Sequence, residues 1–276
     1  MRPSDFSKIP LSVVIATKNE ASRIAGCLKA LHRFDDVWVV DSGSTDGTSG
    51  IARAYGAQSI DFKWNGAYPK KRQWILDQVP LRHDRVLFVD ADEILPPALV
   101  DEISRLDWAC AGYFIKGCYM FEGNLLQYGL CNKKLMLLDR RKMMFPVVDD
   151  LDLDGMGEIE GHYQPVLKPD FQSEHIGMLH SSLIHEAFEE QESWRARHIR
   201  YARWEVGMNR KKAWPCDPDP VRQKLKRLFR AVPFRPFWAF MHCYIAKQGF
   251  RDGMAGYRFA RSRAWYYKKI QDFSRQ

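Results

Sequence analysis

The sequence predicts an α/β protein in which a mostly parallel sheet is flanked by helices and followed by a basic, helical C-terminal extension. Strand-like and helix-like hydrophobic periods alternate through the first hundred residues, as in sheets whose strands are joined by covering helices. Residues 1–190 carry a net charge of −7, whereas residues 191–276 carry 21 basic and 6 acidic residues, a net +15. Because prolines interrupt the chain near residue 215, we expect one domain over residues 1–210 and an extension over 211–276.

The individual elements follow from short apolar runs and from helical spacing. Apolar runs predict strands at residues 11–16, 37–40, 57–62 and 85–89, with further strands at 112–122 and 134–138. Ile24, Leu28 and Leu31 recur at helical spacing after the first strand, and further helices are predicted up to residue 55, over 69–79 and through residues 99–106. A long helix rich in Glu, Arg and Trp is predicted from residue 182 to about 209.

Composition and length exclude several classes of protein. With 276 residues, 46% of them apolar, the chain is long enough to bury a large core, which excludes fibrous and wholly disordered proteins. The best apolar run, residues 237–246, is too short to span a bilayer. Residues 1–10 lack the apolar core of a signal peptide, and the six cysteines form no C-x-x-C pair. We therefore expect a cytoplasmic protein with free thiols.

Polar segments follow three of the predicted strands. They read TKNE at residues 17–20, DSGSTDGT at 41–48 and DADE at 90–93. Ligands of open α/β sheets bind at the carboxyl ends of the strands. These three loops are therefore expected to converge on one site.

The acidic residues of these loops suit a nucleotide and a hard cation. Asp90 and Asp92 are two positions apart at a strand end, so both carboxylates point the same way, and Mg²⁺ or Mn²⁺ prefers such oxygens together with substrate phosphates. In one interpretation these residues bind a nucleotide: Asp92 holds a metal that bridges a diphosphate, Asp90 accepts from a ribose hydroxyl, and Asp41 accepts from a base N–H. A simple turn or cap formed by Asp92 before Pro96 is the other.

The turns lack the known glycine-rich phosphate-binding motifs, so other residues must bind the phosphates of a ligand. Neither a G-x-x-x-x-G-K-[ST] loop nor a G-x-G-x-x-G fingerprint occurs in these turns. The cationic cluster Lys70, Lys71 and Arg72 at a helix start is a candidate for binding a diphosphate, and a solvated surface patch is the alternative.

Three segments together resemble one enzyme family. LSVVIATKNEASRIAGCLKAL, VWVVDSGSTDGTSGIARAYGA and RVLFVDADEILPPALVDEI resemble the family 2 glycosyltransferases, and among them the branch related to bacterial lipopolysaccharide-core glucosyltransferases. The resemblance runs from about residue 11 to 106 with the motifs in order. Residues 183–185 with 200–201, and the glycine-aspartate-glycine element at 249–253, add matches to that branch.

The resemblance implies a GT-A-type fold, a nucleotide-diphospho-sugar donor, Mg²⁺ or Mn²⁺, and inversion at the anomeric carbon. It also implies roles for single residues. These are the nucleoside pocket for Thr17 and Glu20, the base for Asp41, the ribose or metal shell for Asp90, the metal for Asp92, and the donor phosphates for Lys71 and Arg72. His185 completes the metal shell or contacts a phosphate on this interpretation, and a structural histidine near a helix start is the alternative.

An inverting transfer needs a carboxylate that removes the proton of the acceptor hydroxyl. Glu158 and Glu160 stand at strand spacing, which predicts that they share one face. We favour Glu160, because it matches the glutamate of a His-Glu pair in the resembling branch, although Ile159 stands in place of that histidine. Glu158 is the second candidate. Other acidic residues stay open as candidates for the base: Asp149, Asp150 and Asp152.

The extension interleaves basic and aromatic residues. A basic amphipathic helix of this kind predicts contact with an anionic membrane leaflet, and packing of its apolar face onto the domain is the alternative. The residues concerned are Arg222, Lys224, Lys226, Arg227, Arg230 and Arg235 among Leu225, Leu228, Phe229, Val232, Phe234, Phe237, Trp238 and Phe240.

Taken together, the expectation is an inverting hexosyltransferase for bacterial cell-surface polysaccharide or lipopolysaccharide, acting on a glycan or lipid-linked acceptor. We expect it to be peripheral at the inner face of the cell membrane, without a nucleic-acid partner. A sugar-phosphate nucleotidyltransferase is the enzyme alternative, although residues 17–22 lack its glycine-rich, arginine-containing signature. The alternative from another class is a nucleic-acid-binding protein that uses the basic tail. A hydrolase has little support, because no G-x-S-x-G elbow occurs at residues 43–47.

Overall fold

The computed structural model describes residues 8–160, 163–186 and 191–276. They fall into two compact units. The first contains residues up to Gly117 with Lys133–Phe145 and Pro165–His185, and the second contains Cys118–Asn132, Pro146–Gln164 and Glu186–Gln276.

Eleven strands and eight α-helices are present in the described residues. The strands are β1 Ile9–Thr17, β2 Phe34–Asp41, β3 Gln58–Asp61, β4 Arg85–Asp90, β5 Glu93–Ile94, β6 Gly112–Phe121, β7 Asn124–Leu125, β8 Asn132–Asp139, β9 Met143–Met144, β10 Val166–Leu167 and β11 Ile176–His185. The helices are α1 Ile24–Lys29, α2 Thr48–Ala54, α3 Lys71–Gln78, α4 Pro97–Ser104, α5 Gln191–Lys211, α6 Pro220–Ala231, α7 Arg235–Met241 and α8 Gly253–Ser274.

The main sheet has the strand order β3-β2-β1-β4-β8-β6-β11-β5. Its first four strands run parallel, with α1, α2 and α3 in their connections. Pairing then changes, because β8 joins β4 antiparallel and β5 joins β11 antiparallel. The predicted α/β class, with a large sheet flanked by helices, is confirmed.

Burial explains why the first strands have continuous apolar sequences. Leu11, Val13, Val14 and Ile15 of β1 are all fully buried, although successive strand residues point to opposite faces of the sheet. Both faces are therefore covered, as is usual for parallel strands joined by helices.

One predicted helix is partly wrong. Residues 182–185 do not begin the long helix but complete β11, where Ile184 pairs with Ile94 and His185 with Glu93 of β5. Leu183 is buried in the core of the first unit, which stabilises the strand. The helix itself is α5, Gln191–Lys211. His185 consequently lies at a strand end and not at a helix start.

The second unit is mainly helical. Ala202 and Val206 of α5 are buried in one cluster with Tyr266 and Ile270 of α8. The glycine-aspartate-glycine element precedes α8, and its Asp252 accepts hydrogen bonds from the backbone amides of residues 127 and 128. Within the described ranges, no helix has both the length and the apolar character needed to cross a membrane.

Candidate active site

The ends of three parallel strands bring the polar loops to one edge of the sheet. Thr17 at the end of β1 pairs with Asp41 at the end of β2, and Ala16 pairs with Asp90 at the end of β4. The register therefore places the carboxylates of the second and third motifs on either side of the first.

Asp41 is buried and organises the loop that follows β2. Its carboxylate accepts hydrogen bonds from the Thr17 hydroxyl at 3.1 Å, the Ser44 amide at 2.9 Å, the Ser44 hydroxyl and the Ser49 hydroxyl at 3.2 Å. Burial works to raise the pKa of Asp41, but these hydrogen bonds outweigh it and hold the pKa below its ordinary value. Asp41 is thus a fixed, ionised acceptor.

Hydrogen bonds join the loop after β1 to the loop after β2. The Glu20 amide donates to the Thr48 hydroxyl at 2.9 Å, and the Ala21 amide donates to the Asp46 carboxylate at 2.9 Å. Gly47 supplies the left-handed residue before α2, with φ at +90°. Two motifs that are distant in the sequence therefore form one polar wall.

Asp90 lies between two cations. The Arg72 guanidinium donates to one carboxylate oxygen at 3.1 Å, and the Lys134 ammonium donates to the other at 2.5 Å. Lys134 also donates to Glu93, which is fully buried, at 2.6 Å. Burial works to raise the pKa of Asp90, but Lys134 and then Arg72 bring it well below its ordinary value. Burial works to lower the pKa of Lys134, but the carboxylates of Asp90 and Glu93 outweigh it and raise that pKa. Burial raises the pKa of Glu93 itself above its ordinary value.

Lys134 was missed by the sequence analysis. It lies on β8, whose antiparallel register against β4 pairs Arg85 with Asp139 and Leu87 with Leu137. Continuing that register to the end of β4 places Lys134 opposite Asp90. A lysine ahead of the apolar run LMLL was the available signal, but it does not reveal which strand lies alongside.

Asp92 faces a histidine instead. Its Oδ2 lies 3.4 Å from Nε2 of His185 and 3.8 Å from a guanidinium nitrogen of Arg23. Arg23 in turn donates to the Glu20 carboxylate at 2.9 Å. Burial works to raise the pKa of Asp92, and the hydrogen bond with His185 outweighs it and lowers that pKa. The structure thus brings together Asp92 and His185, the two residues predicted to hold a metal.

The donor set at Asp92 fits a divalent cation that also binds a substrate. Two ligands of one octahedral Mg²⁺ or Mn²⁺ lie about 3 Å apart when the metal–oxygen bonds are about 2.1 Å long, close to the 3.4 Å between Asp92 and His185. No group of three or more His, Cys, Asp and Glu side chains in the described parts of the chain is placed to hold a metal. Two protein donors suit Mg²⁺, which keeps several positions for water and phosphate oxygens.

The two residues of the predicted phosphate-binding pair have different neighbours. Arg72 is bound to Asp90, as described above. Lys71 begins α3 and is buried, with its ammonium nitrogen 5.7 Å from the centroid of the Phe62 ring. The segment therefore begins a helix as predicted, and the cluster is not a solvated surface patch at this residue.

The two candidates for the catalytic base belong to the second unit. Residues 151–160 form successive turns and not a strand, with Gly155 and Gly157 in left-handed conformations. The inference from strand spacing that Glu158 and Glu160 share a face is therefore wrong. Glu160 is buried, Glu158 is half-buried, and both have interaction partners.

The three open carboxylates near them divide by environment. Asp150 is buried and accepts a hydrogen bond from the Trp204 indole at 3.1 Å. Asp149 and Asp152 are exposed and both bind Lys211. All three are engaged within the second unit.

Curated relatives of the chain are named glycosyltransferases. An uncharacterized glycosyltransferase of Rickettsia prowazekii is 42% identical over 97 residues, which cover 35% of this chain and 32% of the relative. The lipopolysaccharide core biosynthesis glycosyltransferase LpsC of Rhizobium meliloti is 35% identical over 104 residues, or 36% of this chain and 37% of LpsC. A Rickettsia typhi glycosyltransferase is 32% identical over 54% of this chain and 56% of its own length. The chain thus spans about a third to a half of these relatives.

Among solved structures, S. aureus TarS residues 1–349 align with 97% of this chain and 91% of that chain, at 16% identity and a TM-score of 0.43. The glucosyl-3-phosphoglycerate synthase of Mycobacterium tuberculosis, solved with Mn²⁺ and uridine diphosphate, aligns with 40% of this chain and 44% of that chain at 27% identity and a TM-score of 0.27.

A family model, Glycosyl transferase family 2, matches residues 12–155, which is more than half of the chain and includes every strand-end motif described above. The chain therefore belongs to glycosyl transferase family 2.

Proposed function

We propose that this protein transfers a hexosyl group from a nucleotide-diphospho-sugar to a hydroxyl of a glycan or lipid-linked acceptor, with inversion, in bacterial lipopolysaccharide or surface polysaccharide synthesis. The observation that carries the proposal is the grouping of carboxylates at strand ends. Asp41 ends β2, Asp90 ends β4, and Asp92 in the next turn meets His185 at the end of β11. Membership of family 2 and the similarity to LpsC support the reaction class and the setting.

The donor nucleoside binds along the wall formed by the two joined loops. Asp41 is held in place and ionised, and it accepts from a base N–H when one of its serine hydroxyl donors turns away. Thr17, whose hydroxyl donates to Asp41, and Glu20 line the same pocket, and Asp90 accepts from a ribose hydroxyl. Arg72 and Lys71 stand at the start of α3, from which they compensate phosphate charge.

Asp92 and His185 would hold the divalent cation. When bound, Mg²⁺ or Mn²⁺ supplies positive charge that stabilises the nucleoside diphosphate as it leaves. The charge of Asp90 is already compensated by Lys134 and Arg72, which leaves Asp92 as the main carboxylate ligand.

The transfer itself exchanges one bond to the anomeric carbon for another. The acceptor oxygen attacks that carbon, and the bond to the diphosphate oxygen breaks on the opposite face, so the electron pair leaves with the nucleoside diphosphate. A carboxylate takes the proton of the acceptor hydroxyl. We propose Glu160 for this role and Glu158 as the second candidate.

A donor panel tests the proposal. Purified full chain is incubated with uridine, guanosine, cytidine and thymidine diphosphosugars, with Mg²⁺, Mn²⁺ or a chelator, and the released nucleoside diphosphate and the thermal midpoint are measured. We expect one nucleotide to raise the midpoint and to be hydrolysed slowly, in both cases only with the metal. A folded protein that responds to no member of the panel contradicts the proposal.

The enzyme alternative gives a different product. A sugar-phosphate nucleotidyltransferase joins a nucleoside triphosphate to a sugar phosphate and releases pyrophosphate, whereas the proposed reaction releases a nucleoside diphosphate. Measuring both products in the same assay distinguishes the two activities.

A further inference from the structure

Helix α6 is amphipathic with its apolar side turned to solvent. Val221, Leu225, Leu228 and Val232 at its end are 69, 62, 54 and 36% exposed. At about 100° per residue these four positions fall within about 60° of arc, so they form one stripe. An exposed stripe of large aliphatic residues on a water-facing helix costs free energy unless something covers it.

The polar side of the same helix points into the second unit. Lys226 binds the buried Asp217 at 2.7 Å, and the Arg230 guanidinium lies 3.7 Å from the centroid of the Trp214 ring. Arg222 also lies 3.4 Å from Asp217. Phe229 of α6 packs against Tyr267 of α8, with 5.0 Å between the ring centroids. These contacts involve other sides of α6 and leave its four aliphatic residues exposed.

The apolar surface continues beyond α6. Phe234, Phe237 and Trp238, in and next to α7, are 70, 54 and 49% exposed. Trp238 suits a boundary between an apolar layer and water, because its indole N–H keeps a polar contact, and the two phenylalanines add apolar area beside it. We call these seven residues of α6, α7 and their connection the α6–α7 surface.

Basic residues accompany the apolar stripe. Lys224 and Arg227 are exposed on the flank of α6, and residues 191–276 carry a net charge of +15. Two copies of the surface placed face to face would bring these like charges together, which disfavours self-association as the way of covering it. A partner with both anionic and apolar parts complements the positive charge and also covers the exposed apolar area.

We propose that the α6–α7 surface docks the protein on an anionic lipid leaflet, with α6 lying in the plane of the headgroups. The aliphatic stripe and the aromatic residues enter the boundary of the acyl chains, and Lys224 and Arg227 contact anionic headgroups. This docking does not depend on the proposed transfer reaction, because it needs neither donor nor acceptor.

Vesicle flotation tests the docking with the full chain and no nucleotide. We expect binding to vesicles of phosphatidylcholine with 30% phosphatidylglycerol to exceed binding to pure phosphatidylcholine by about tenfold or more, since each cation near the surface contributes about fivefold. Leu225→Gln with Leu228→Gln lowers the affinity for anionic vesicles by about tenfold. Lys224→Gln with Arg227→Gln also lowers the affinity for anionic vesicles, and the difference in affinity between this variant and the wild type becomes smaller at high salt.

A matched control uses exposed aliphatic residues elsewhere in the second unit. Val147 and Leu151 are 69 and 47% exposed, and their double replacement by Gln leaves vesicle binding unchanged. Circular dichroism and the thermal midpoint confirm that each variant is folded. Absence of binding by the wild type overturns the proposal, as does unchanged binding of the Leu225 and Leu228 variant. Concentration-dependent dimers that this variant abolishes, without vesicle binding, assign the surface to a second copy instead.

Discussion

Asp90 and Asp92 are two residues apart, yet their neighbours give them different chemistry. Asp90 binds Arg72 with one oxygen and Lys134 with the other, so its charge is compensated before any ligand arrives. Asp92 faces an imidazole nitrogen that can itself bind a metal. The sequence-based interpretation also gave them different tasks, a ribose hydroxyl for Asp90 and a metal for Asp92, and the structure adds the neighbours that distinguish them.

Replacement of Asp92 by Asn tests its proposed role. The amide keeps the size of the side chain but loses the charge, so metal-dependent release of nucleoside diphosphate falls by at least about a hundredfold. Asp77→Asn, at an exposed carboxylate of α3, is the control and retains activity. A fully active Asp92→Asn enzyme contradicts the metal assignment.

Lys134 is expected to matter for stability because it compensates two carboxylates. Lys134→Met leaves Glu93 buried and Asp90 without its closest cation, so we expect the free energy of unfolding to fall by about 3 kcal/mol. Urea denaturation measures the loss. Adding Glu93→Gln to the same variant recovers part of it, because a neutral amide is easier to bury. A single variant within 0.5 kcal/mol of the wild type, roughly the spread of neutral surface changes, argues against this account.

At the scale of elements, two loops act as one wall because hydroxyl and carboxylate groups of the second loop accept backbone donors of the first. The sequence shows the composition of each loop, and the family resemblance indicates that they share a ligand. Neither shows that Thr48 and Asp46 are the groups that join them.

Thr48→Val tests this connection. The valine keeps the shape of the buried side chain but removes the acceptor of the Glu20 amide, so we expect a loss of about 1–3 kcal/mol in unfolding free energy and weaker binding of the donor nucleotide. Thr45→Val, at an exposed position of the same loop, has little effect on either measurement. Equal behaviour of the two variants would show that the connection is unimportant.

A second prediction concerns the start of α8. A Cβ atom at Gly256 would lie 1.9 Å from the carbonyl oxygen of Gly249, so Gly256→Ala forces two backbone segments apart. We expect a destabilisation of about 1–3 kcal/mol. Gly50 in α2 has no atom within 4 Å of its Cβ position, and Gly50→Ala is neutral or slightly stabilising. Thermal unfolding of both variants measures the two effects. A Gly256→Ala variant as stable as the wild type would contradict the close contact between Gly256 and the Gly249 carbonyl.

At the scale of the whole molecule, the first hundred residues were predicted well for a physical reason. Buried parallel strands leave continuous apolar runs, and each helix between them has its own period, so β1, β2 and β4 are visible locally. The GT-A-type α/β fold implied by the family resemblance is confirmed.

The parts that the sequence could not supply depend on contacts between distant segments. The antiparallel entry of β8 beside β4 brings Lys134 to Asp90, and the pairing of β11 with β5 brings His185 to Asp92. Residues 182–185 resemble a helix start until that pairing is known. The contact between Phe229 of α6 and Tyr267 of α8 likewise joins distant segments, and composition does not reveal it.

The central claim is that the strand-end carboxylates of the first unit form a metal-dependent nucleotide site. Titration calorimetry of the full chain with the nucleoside diphosphate of its preferred donor, with and without Mn²⁺, measures this most directly. The account predicts binding that Mn²⁺ strengthens by at least about tenfold and that Asp92→Asn makes independent of the metal. Binding that is equally tight without a divalent cation, or unaffected by Asp92→Asn, would contradict it.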